Sequence, residues 1–518
     1  MTELVIPTVL VAAIVAITAL AKRIGVLSPI LLVVAGIGLS YLPDFPDIVL
    51  DPDLVIAGVL PPLIYIAAIE TSVRAFRRNL RPILLLAIGL VLATAAAVGL
   101  VLHALVPQIP LSVAFALGAV VSPPDAIAAT AVARRVGLPR RMVTILEGES
   151  LINDATALVT LRIAVSAALG HTVSALDFAW DFGLAAVGGL LIGGVAAVAV
   201  AWLHRWAKDP LFDNAISLLT PFAVFTAAEL IEASGVVAVV VGGLYLGQRW
   251  PVLMSPASRL QMEAFWRMVR FLLEGGAFLL IGLQLQDIVR GLRFPQGTVV
   301  VATVGVVATV LLVRFLWVLP ATYLARLMPG RDAPPIGYPI VIAWAGMRGV
   351  VTLAAAFSLP LATEDGHPFI DRGLLLWLAF AVIVATLLVQ GPTLPWVIRT
   401  VGIPPDDPKE DLLREAEVQQ EATRAALTRL DEEAGSAPQD VVDRLRQQAE
   451  YRARHVWEQL GSQQRETPAA AYRRLRRAML QAERDVFRKA RDNGRVPEEV
   501  LVRVQRDMDL EESILTRE

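Results

Sequence analysis

The chain has 518 residues, 56% of them hydrophobic and 18% charged, with a formal net charge of −2 and no cysteine. About a quarter of a soluble domain is charged, so neither a wholly soluble nor a disordered chain fits. Near-zero net charge argues against nucleic acid as a partner, and the absence of cysteine excludes disulfides, thiolate metal sites and thiol nucleophiles.

Met1 to Leu20 is apolar, with no Lys or Arg before the run and no small-residue cleavage site after it. It reads as a membrane span rather than a signal peptide. About thirteen stretches have the roughly 20-residue length of a span. They lie near 4–21, 25–42, 52–72, 82–105, 111–133, 143–168, 179–203, 214–233, 235–248, 264–289, 297–325, 337–359 and 373–399. The ninth is short and glycine-rich. In hydrocarbon the backbone must satisfy its own hydrogen bonds, which predicts helices; the short alternating segments of a barrel are missing.

Basic residues fall on alternate loops: Lys22 and Arg23; Arg74, Arg77, Arg78 and Arg81; Arg134, Arg135, Arg140 and Arg141; Arg205 and Lys208; Arg249 and Arg259; Arg326 and Arg331. The opposite loops carry Arg290, Arg293 and Arg372, and two of them are acidic (Asp44, Asp47, Asp51, Asp53; Glu364, Asp365). The positive-inside rule then places the N-terminus outside and the C-terminal tail in the cytoplasm.

Ionisable residues inside a membrane are expensive and mark function by default. In the fifth span, Val121-Ser122-Pro123-Pro124-Asp125 removes two backbone donors and should break the helix. Asp125 would then face the positive end of the next half-helix. The sixth span opens with Glu147-Gly148-Glu149-Ser150-Leu151-Ile152-Asn153-Asp154. Ser150 and Asp154 share one helix face, and Glu149 and Asn153 share the next. One face suits a cation and the other a structural partner. In the seventh span, Gly188, Gly189, Gly193 and Gly194 permit close packing, either within the chain or between copies. In the twelfth, Gly346 and Gly349 bracket Arg348, which needs a buried anion or free carbonyls. Arg314 and Arg162 also lie inside apolar spans, and the sequence does not decide between pairing within the bundle and snorkelling. The two breaks fall seven spans apart, an odd number, which implies two repeats of inverted topology with the binding site at the breaks.

Residues 404–518 hold 21 Lys or Arg and 25 Asp or Glu, against 25 and 23 in the first 403 residues. The run Gly402-Ile403-Pro404-Pro405-Asp406-Asp407-Pro408 separates a membrane domain, 1–402, from a charged helical domain, 403–518. About four amphipathic helices are expected there, broken near 435–438, 461–468 and 493–497. Arg473, Arg474, Arg476, Arg477, Arg484, Arg488, Lys489 and Arg491 form a basic patch, either a solvated face or a contact for anionic lipid or for the membrane domain's own cytoplasmic face.

These features together resemble the bacterial branch of the monovalent cation:proton antiporter-1 family, the sodium–proton antiporters related to animal sodium–proton exchangers. The resemblance spans the membrane part. It rests on Leu60-Pro61-Pro62-Leu63 with Phe76-Arg77-Arg78-Asn79, on Ser122-Pro123-Pro124-Asp125-Ala126, and on Gly148-Glu149-Ser150-Leu151-Ile152-Asn153-Asp154. It continues in Phe278-Leu279-Leu280-Ile281-Gly282-Leu283 and Gly346-Met347-Arg348-Gly349-Val350-Val351. It implies that Asp154 is the ion and proton site, with Ser150 as a ligand of the transported Na+. It also implies that Glu149 pairs with Arg348, joined by Asn153. Where the family usually reads Thr-Asp-Pro, this chain has Pro124 before Asp125, which leaves a backbone carbonyl but no hydroxyl. The glutamate many members carry after Leu-Pro-Pro is Ile66 here, and the nearest acid is Glu70, one turn on.

The expected fold is thus an all-α polytopic membrane protein of two inverted repeats, with crossing broken helices in spans five and twelve and a cytoplasmic, candidate regulatory, helical domain. The expected function is secondary antiport of Na+ (or Li+) against H+, electroneutral, with no cofactor, as a homodimer in the plasma membrane. K+/H+ antiport on the same fold and a cation channel are the alternatives. A membrane enzyme lacks support: there is no His-Glu-x-x-His, and the five histidines read as loop, span-end or tail residues on the surface.

Overall fold

The computed structural model describes residues 2–42, 54–125, 129–130, 132–133, 136–171, 174–207, 209–324, 335–361, 371–461, 468–493, 495 and 497–516. The acidic loop residues Asp44, Asp47, Asp51, Asp53, Glu364 and Asp365, and residues 126–128 directly after Asp125, lie outside these.

The chain divides into two compact units, Met1–Pro405 and Asp406–Glu518. The first is helical throughout its described elements: α1 Thr2–Ile24, α2 Ser28–Ser40, α3 Leu54–Glu70, α4 Leu80–Leu105, α5 Leu111–Val121, α6 Arg140–Ala168, α7 Ala175–Ala207, α8 Pro210–Glu229, α9 Gly235–Leu253, α10 Pro256–Leu283, α11 Gln296–Leu324, α12 Gly337–Trp344, α13 Val350–Phe357 and α14 Arg372–Val401. Among the described residues nine helices are long and apolar enough to cross a membrane, and α2, α3 and α5 are shorter apolar helices. The ninth expected span is a full helix of 19 residues.

The expected breaks occur where the backbone loses donors or side chains. Helix α5 stops at Val121, ahead of Pro123 and Pro124. The twelfth segment is split into α12 and α13 by Ala345 to Gly349. Two further irregularities have local causes. The first turns of α3, Leu54–Val59, are π-helical, because Pro61 and Pro62 cannot donate to the carbonyls one turn back. Leu85–Leu90 in α4 is also π-helical; there the Trp317 indole donates to the Leu85 carbonyl at 3.1 Å.

Close helix contacts follow the glycines. A Cβ on Gly36 would meet the Gly282 Cα at 3.0 Å, so α2 and α10 touch backbone to backbone. Gly188, Gly189 and Gly193 abut Ala233, Ser234, Val237 and Ala238 at and before the start of α9, whereas Gly194 faces open space. Three of the four glycines of the seventh span are therefore used inside the chain. The outward face of α7 is apolar, with Trp180, Val195 and Trp206 each at least 70% exposed. Trp180 and Trp206 stand about 39 Å apart along the helix, the spacing of the two interfacial belts of a bilayer.

Helix α6 lies between two apolar cores. Leu146 and Leu161 pack with α5, α10, α11 and α14. Leu151 and Ala155 pack with α3, α8 and α9. The polar segment that begins at Glu147 is thus carried to the junction of the two halves.

The second unit consists of α15 Pro408–Glu433, α16 Gln439–Gly461, α17 Pro468–Asp492 and α18 Glu498–Thr516. Two arginines of its basic patch are used internally. Arg476 pairs with Glu511 at 2.6 Å and with Glu483 at 3.0 Å, and Arg484 pairs with Asp509 and Glu512. Two arginines of a patch that could have been a solvated face or a contact for lipid thus fasten α17 to α18.

Candidate functional site

The two broken helices meet directly. The Asp125 N–H donates to the Met347 carbonyl at 2.7 Å, so each break supplies a partner for a backbone group freed by the other. The Asn153 side-chain amide donates to the Pro124 carbonyl at 2.8 Å, tying α6 to the same crossing. Gly349 is required there: a Cβ would fall on the Asp125 carboxylate.

The two polar faces of α6 separate. Ser150 and Asp154 line a cavity of about 290 Å³ together with Pro123, Pro124, Asp125 and Gly349. Asp154 is 7% exposed. Glu149 and Asn153 turn away from it and are fully buried. The cavity thus brings together the four residues expected at the ion: Asp154, Ser150, Asp125 and Pro124.

The buried ion pair differs from the expectation. Glu149 is held by Arg314 and not by Arg348: Nη1 and Nη2 of Arg314 donate to the two carboxylate oxygens at 2.6 and 2.8 Å. The third donor, Nε, reaches the Ile342 carbonyl at 3.1 Å, one of those released where α12 ends. The physical reason is Gly346. A Cβ at that position would lie 2.5 Å from the Arg314 Cδ, so glycine alone leaves room for the guanidinium to cross to Glu149. Arg348 is also buried, and its backbone N–H donates to the Thr386 hydroxyl at 3.0 Å. Its Nε and Nη1 find no hydrogen-bond partner among the described residues. Asn153 joins Pro124 rather than the ion pair.

Other polar residues are also placed. Arg162 pairs with Glu229 at 3.0 Å. His204, expected on the surface, is 2% exposed and meets the Asp213 carboxylate at 2.8 Å between α7 and α8. Glu274, on α10, lines the cavity and was not among the expected site residues. Its signal is in the sequence: Arg270 and Glu274, four apart, interrupt an apolar span.

Two half-broken helices crossing at a buried carboxylate, inside an all-helical membrane bundle, define a secondary transporter and not an enzyme. The family model for the transmembrane part of sodium/hydrogen exchangers matches residues 9–400. The chain belongs to that family. It is 37% identical over 528 residues to an uncharacterized Na+/H+ exchanger of Mycobacterium tuberculosis, covering 98% of this chain and 95% of the relative. It is 35% identical over 383 residues to the sodium, potassium, lithium and rubidium/H+ antiporter of Bacillus subtilis, covering 71% of this chain and 57% of the relative. Among solved structures, the sodium proton antiporter MjNhaP1 of Methanocaldococcus jannaschii shares the fold, with a TM-score of 0.58 and 18% identity, covering 78% of this chain and all of that one.

Proposed function

We propose that this multi-pass membrane protein exchanges Na+ (or Li+) for H+ by alternating access, with the two ions competing for Asp154. The observation that carries the proposal is the position of Asp154: nearly buried, at the crossing of the broken helices, in one cavity with Ser150 and Asp125. A carboxylate there holds either a proton or a partly dehydrated cation. Ser150 Oγ, the Asp125 carboxylate and the Pro124 carbonyl, whose oxygen keeps a lone pair beyond the Asn153 bond, complete the oxygen donors a hard cation prefers. Glu149 and Arg314 hold the breaks in register and do not touch the ion.

The cavity is lined by Glu70, the last residue of α3, and by Glu147, two turns from the start of α6. Both lie beside the basic loops, so the proposed state faces the cytoplasm, with the N-terminus outside and the second unit inside the cell. The plasma membrane and a homodimer belong to the proposal through the family resemblance. K+ as a substrate is the second reading, favoured by the likeness to the Bacillus subtilis sodium, potassium, lithium and rubidium/H+ antiporter. A channel would need a continuous pore, whereas two broken helices meeting beside one buried carboxylate suit an occluded site.

The test is cation-induced collapse of a preset pH gradient in proteoliposomes, with Na+, Li+ and K+ added in turn. Collapse with Na+ or Li+ supports the first reading, and collapse with K+ alone supports the second. No collapse with any of them would sink both.

A further inference from the structure

We propose that Arg270 is a tethered cation that sets the apparent affinity for the transported ion by occupying Glu274 in the approach to Asp154. The inference rests on the antiport reading above and adds a residue to it.

Among the described residues lining the cavity there are five carboxylates, on Glu70, Asp125, Glu147, Asp154 and Glu274, and one cation, Arg270. The guanidinium sits between two of those acids. Its Nη2 is 2.8 Å from Glu70 Oε2 across the gap between α10 and α3, and its Nε is 3.9 Å from Glu274 Oε1, one turn along α10. Glu274 lines the same cavity as Glu70, Asp125 and Asp154, with Arg270 one turn away as its counter-charge.

The pair with Glu70 is wet: the Glu70 side chain is 53% exposed and that of Arg270 30%. Contacts of that kind are weak and exchange readily, so Arg270 is not fixed at Glu70. The longer Arg270–Glu274 separation fits a partner that is attracted but not locked by hydrogen bonds. While it stays, Arg270 repels incoming cations in a cleft whose low-dielectric walls focus its field. An arginine in an acidic approach therefore lowers the local cation concentration and holds the carboxylate nearest to the ion path.

The experiment measures apparent KM and kcat for Na+ in proteoliposomes for wild type, Arg270→Gln, Arg270→Lys, Glu70→Gln, Glu274→Gln and the double variant Arg270→Gln/Glu274→Gln. Arg270→Gln is expected to lower KM about three- to tenfold, with kcat within about twofold. Arg270→Lys keeps the charge and stays near the wild-type KM. Glu70→Gln frees the guanidinium from its outer anchor and leaves it on Glu274, so KM rises. Because the exposed Glu70 contributes little to folding, this variant reports even if Arg270→Gln does not assemble. In the Glu274→Gln background the gain from removing Arg270 is expected to disappear, a non-additivity that marks direct coupling. A merely structural contact would move Arg270→Gln and Glu70→Gln in the same direction. An unchanged KM in Arg270→Gln, or an undiminished gain without Glu274, overturns the inference while leaving antiport standing. An inactive wild type overturns both.

Discussion

Gly349 and Asp125 face one another across the crossing of the broken helices, so closely that a Cβ on residue 349 would occupy the space of the Asp125 carboxylate. The glycine of the second break thus fixes where the acid of the first can lie. Gly349→Ala must push Asp125 away from its position beside Asp154. The expected result is transport reduced by about tenfold or more, as misplacement at a reacting centre commonly gives. Proteoliposome flux, measured beside thermal unfolding in detergent, checks it. Wild-type flux with a normal Tm would show that Asp125 does not need this position.

Asp154→Asn keeps the size and hydrogen-bonding shape of the side chain but can neither ionise nor exchange a proton. The variant is expected to assemble normally and to show no cation-dependent proton flux. Flux near the wild-type level would remove Asp154 from the mechanism.

Arg314 and Arg348 are both fully buried, but only Arg314 makes a two-pronged bond to Glu149. Breaking such a pair from one side leaves a buried charge and costs about 3–5 kcal/mol. Arg314→Ala should therefore lower the Tm strongly, and Glu149→Leu/Arg314→Met should recover much of the loss. Arg348→Met removes a guanidinium with two unsatisfied nitrogens, so its cost is expected to stay within about 1 kcal/mol. Equal destabilisation by Arg314→Ala and Arg348→Met would contradict this ranking.

The contrast between these two arginines shows how far the sequence can be read. Helical segments, the breaks at Pro123-Pro124 and at Gly346 to Gly349, and the division of α6 into two polar faces all follow from local chemistry: missing donors, missing side chains and helical period. The partner of Glu149 does not. It depends on which neighbouring helix stands opposite a glycine gap, and two arginines on different spans satisfy the same charge rule. His204 shows the same limit. A histidine near a span end reads as exposed until α8 folds back and brings Asp213 against it. Arg270 and Glu274 were legible as an i,i+4 pair inside an apolar span. Their position on the cavity wall was not, because it depends on the packing of α10 against α3.

In the second unit, the Arg476 guanidinium donates to both oxygens of Glu511 and holds that carboxyl below the ordinary glutamate range. A carboxylate whose pKa is lower folded than unfolded adds stability above its unfolded value, and the contribution is lost as pH falls toward the folded value. The α17–α18 contact should therefore loosen on acidification below about pH 4.3, the unperturbed glutamate value. The hydrogen-exchange protection of residues 498–516 in the full-length protein, corrected for the intrinsic pH dependence of amide exchange, is expected to fall over that range. Glu511→Gln should exchange faster already at neutral pH and show less further change. A pH-independent difference between the two proteins would argue against this pairing.

The stoichiometry follows from counting charge at the crossing. Beside Asp154 in the chain stands Asn153, whose amide is spent on the Pro124 carbonyl and cannot ionise. A second aspartate at that position could carry a second proton; asparagine cannot. One carboxylate that binds either one H+ or one Na+ has the same charge on both legs of the cycle, so a membrane potential does no net work on it. Asp125 and Glu274 are the residues able to upset this count, because a second acid that changes protonation during the cycle would couple to Asp154. Asp125 is confined by Gly349 and by its own backbone bond to Met347. Glu274 has Arg270 as a counter-charge. The charge count at Asp154 alone gives one cation per proton, and that is the expected stoichiometry. The measurement is the Na+ gradient that balances a fixed pH gradient in proteoliposomes, with and without a potassium–valinomycin potential. A balance point that stays put under the potential is the expected outcome. One that shifts with it would mean that more than one proton moves per cation, and Glu274→Gln would then be the first variant in which to look for its disappearance.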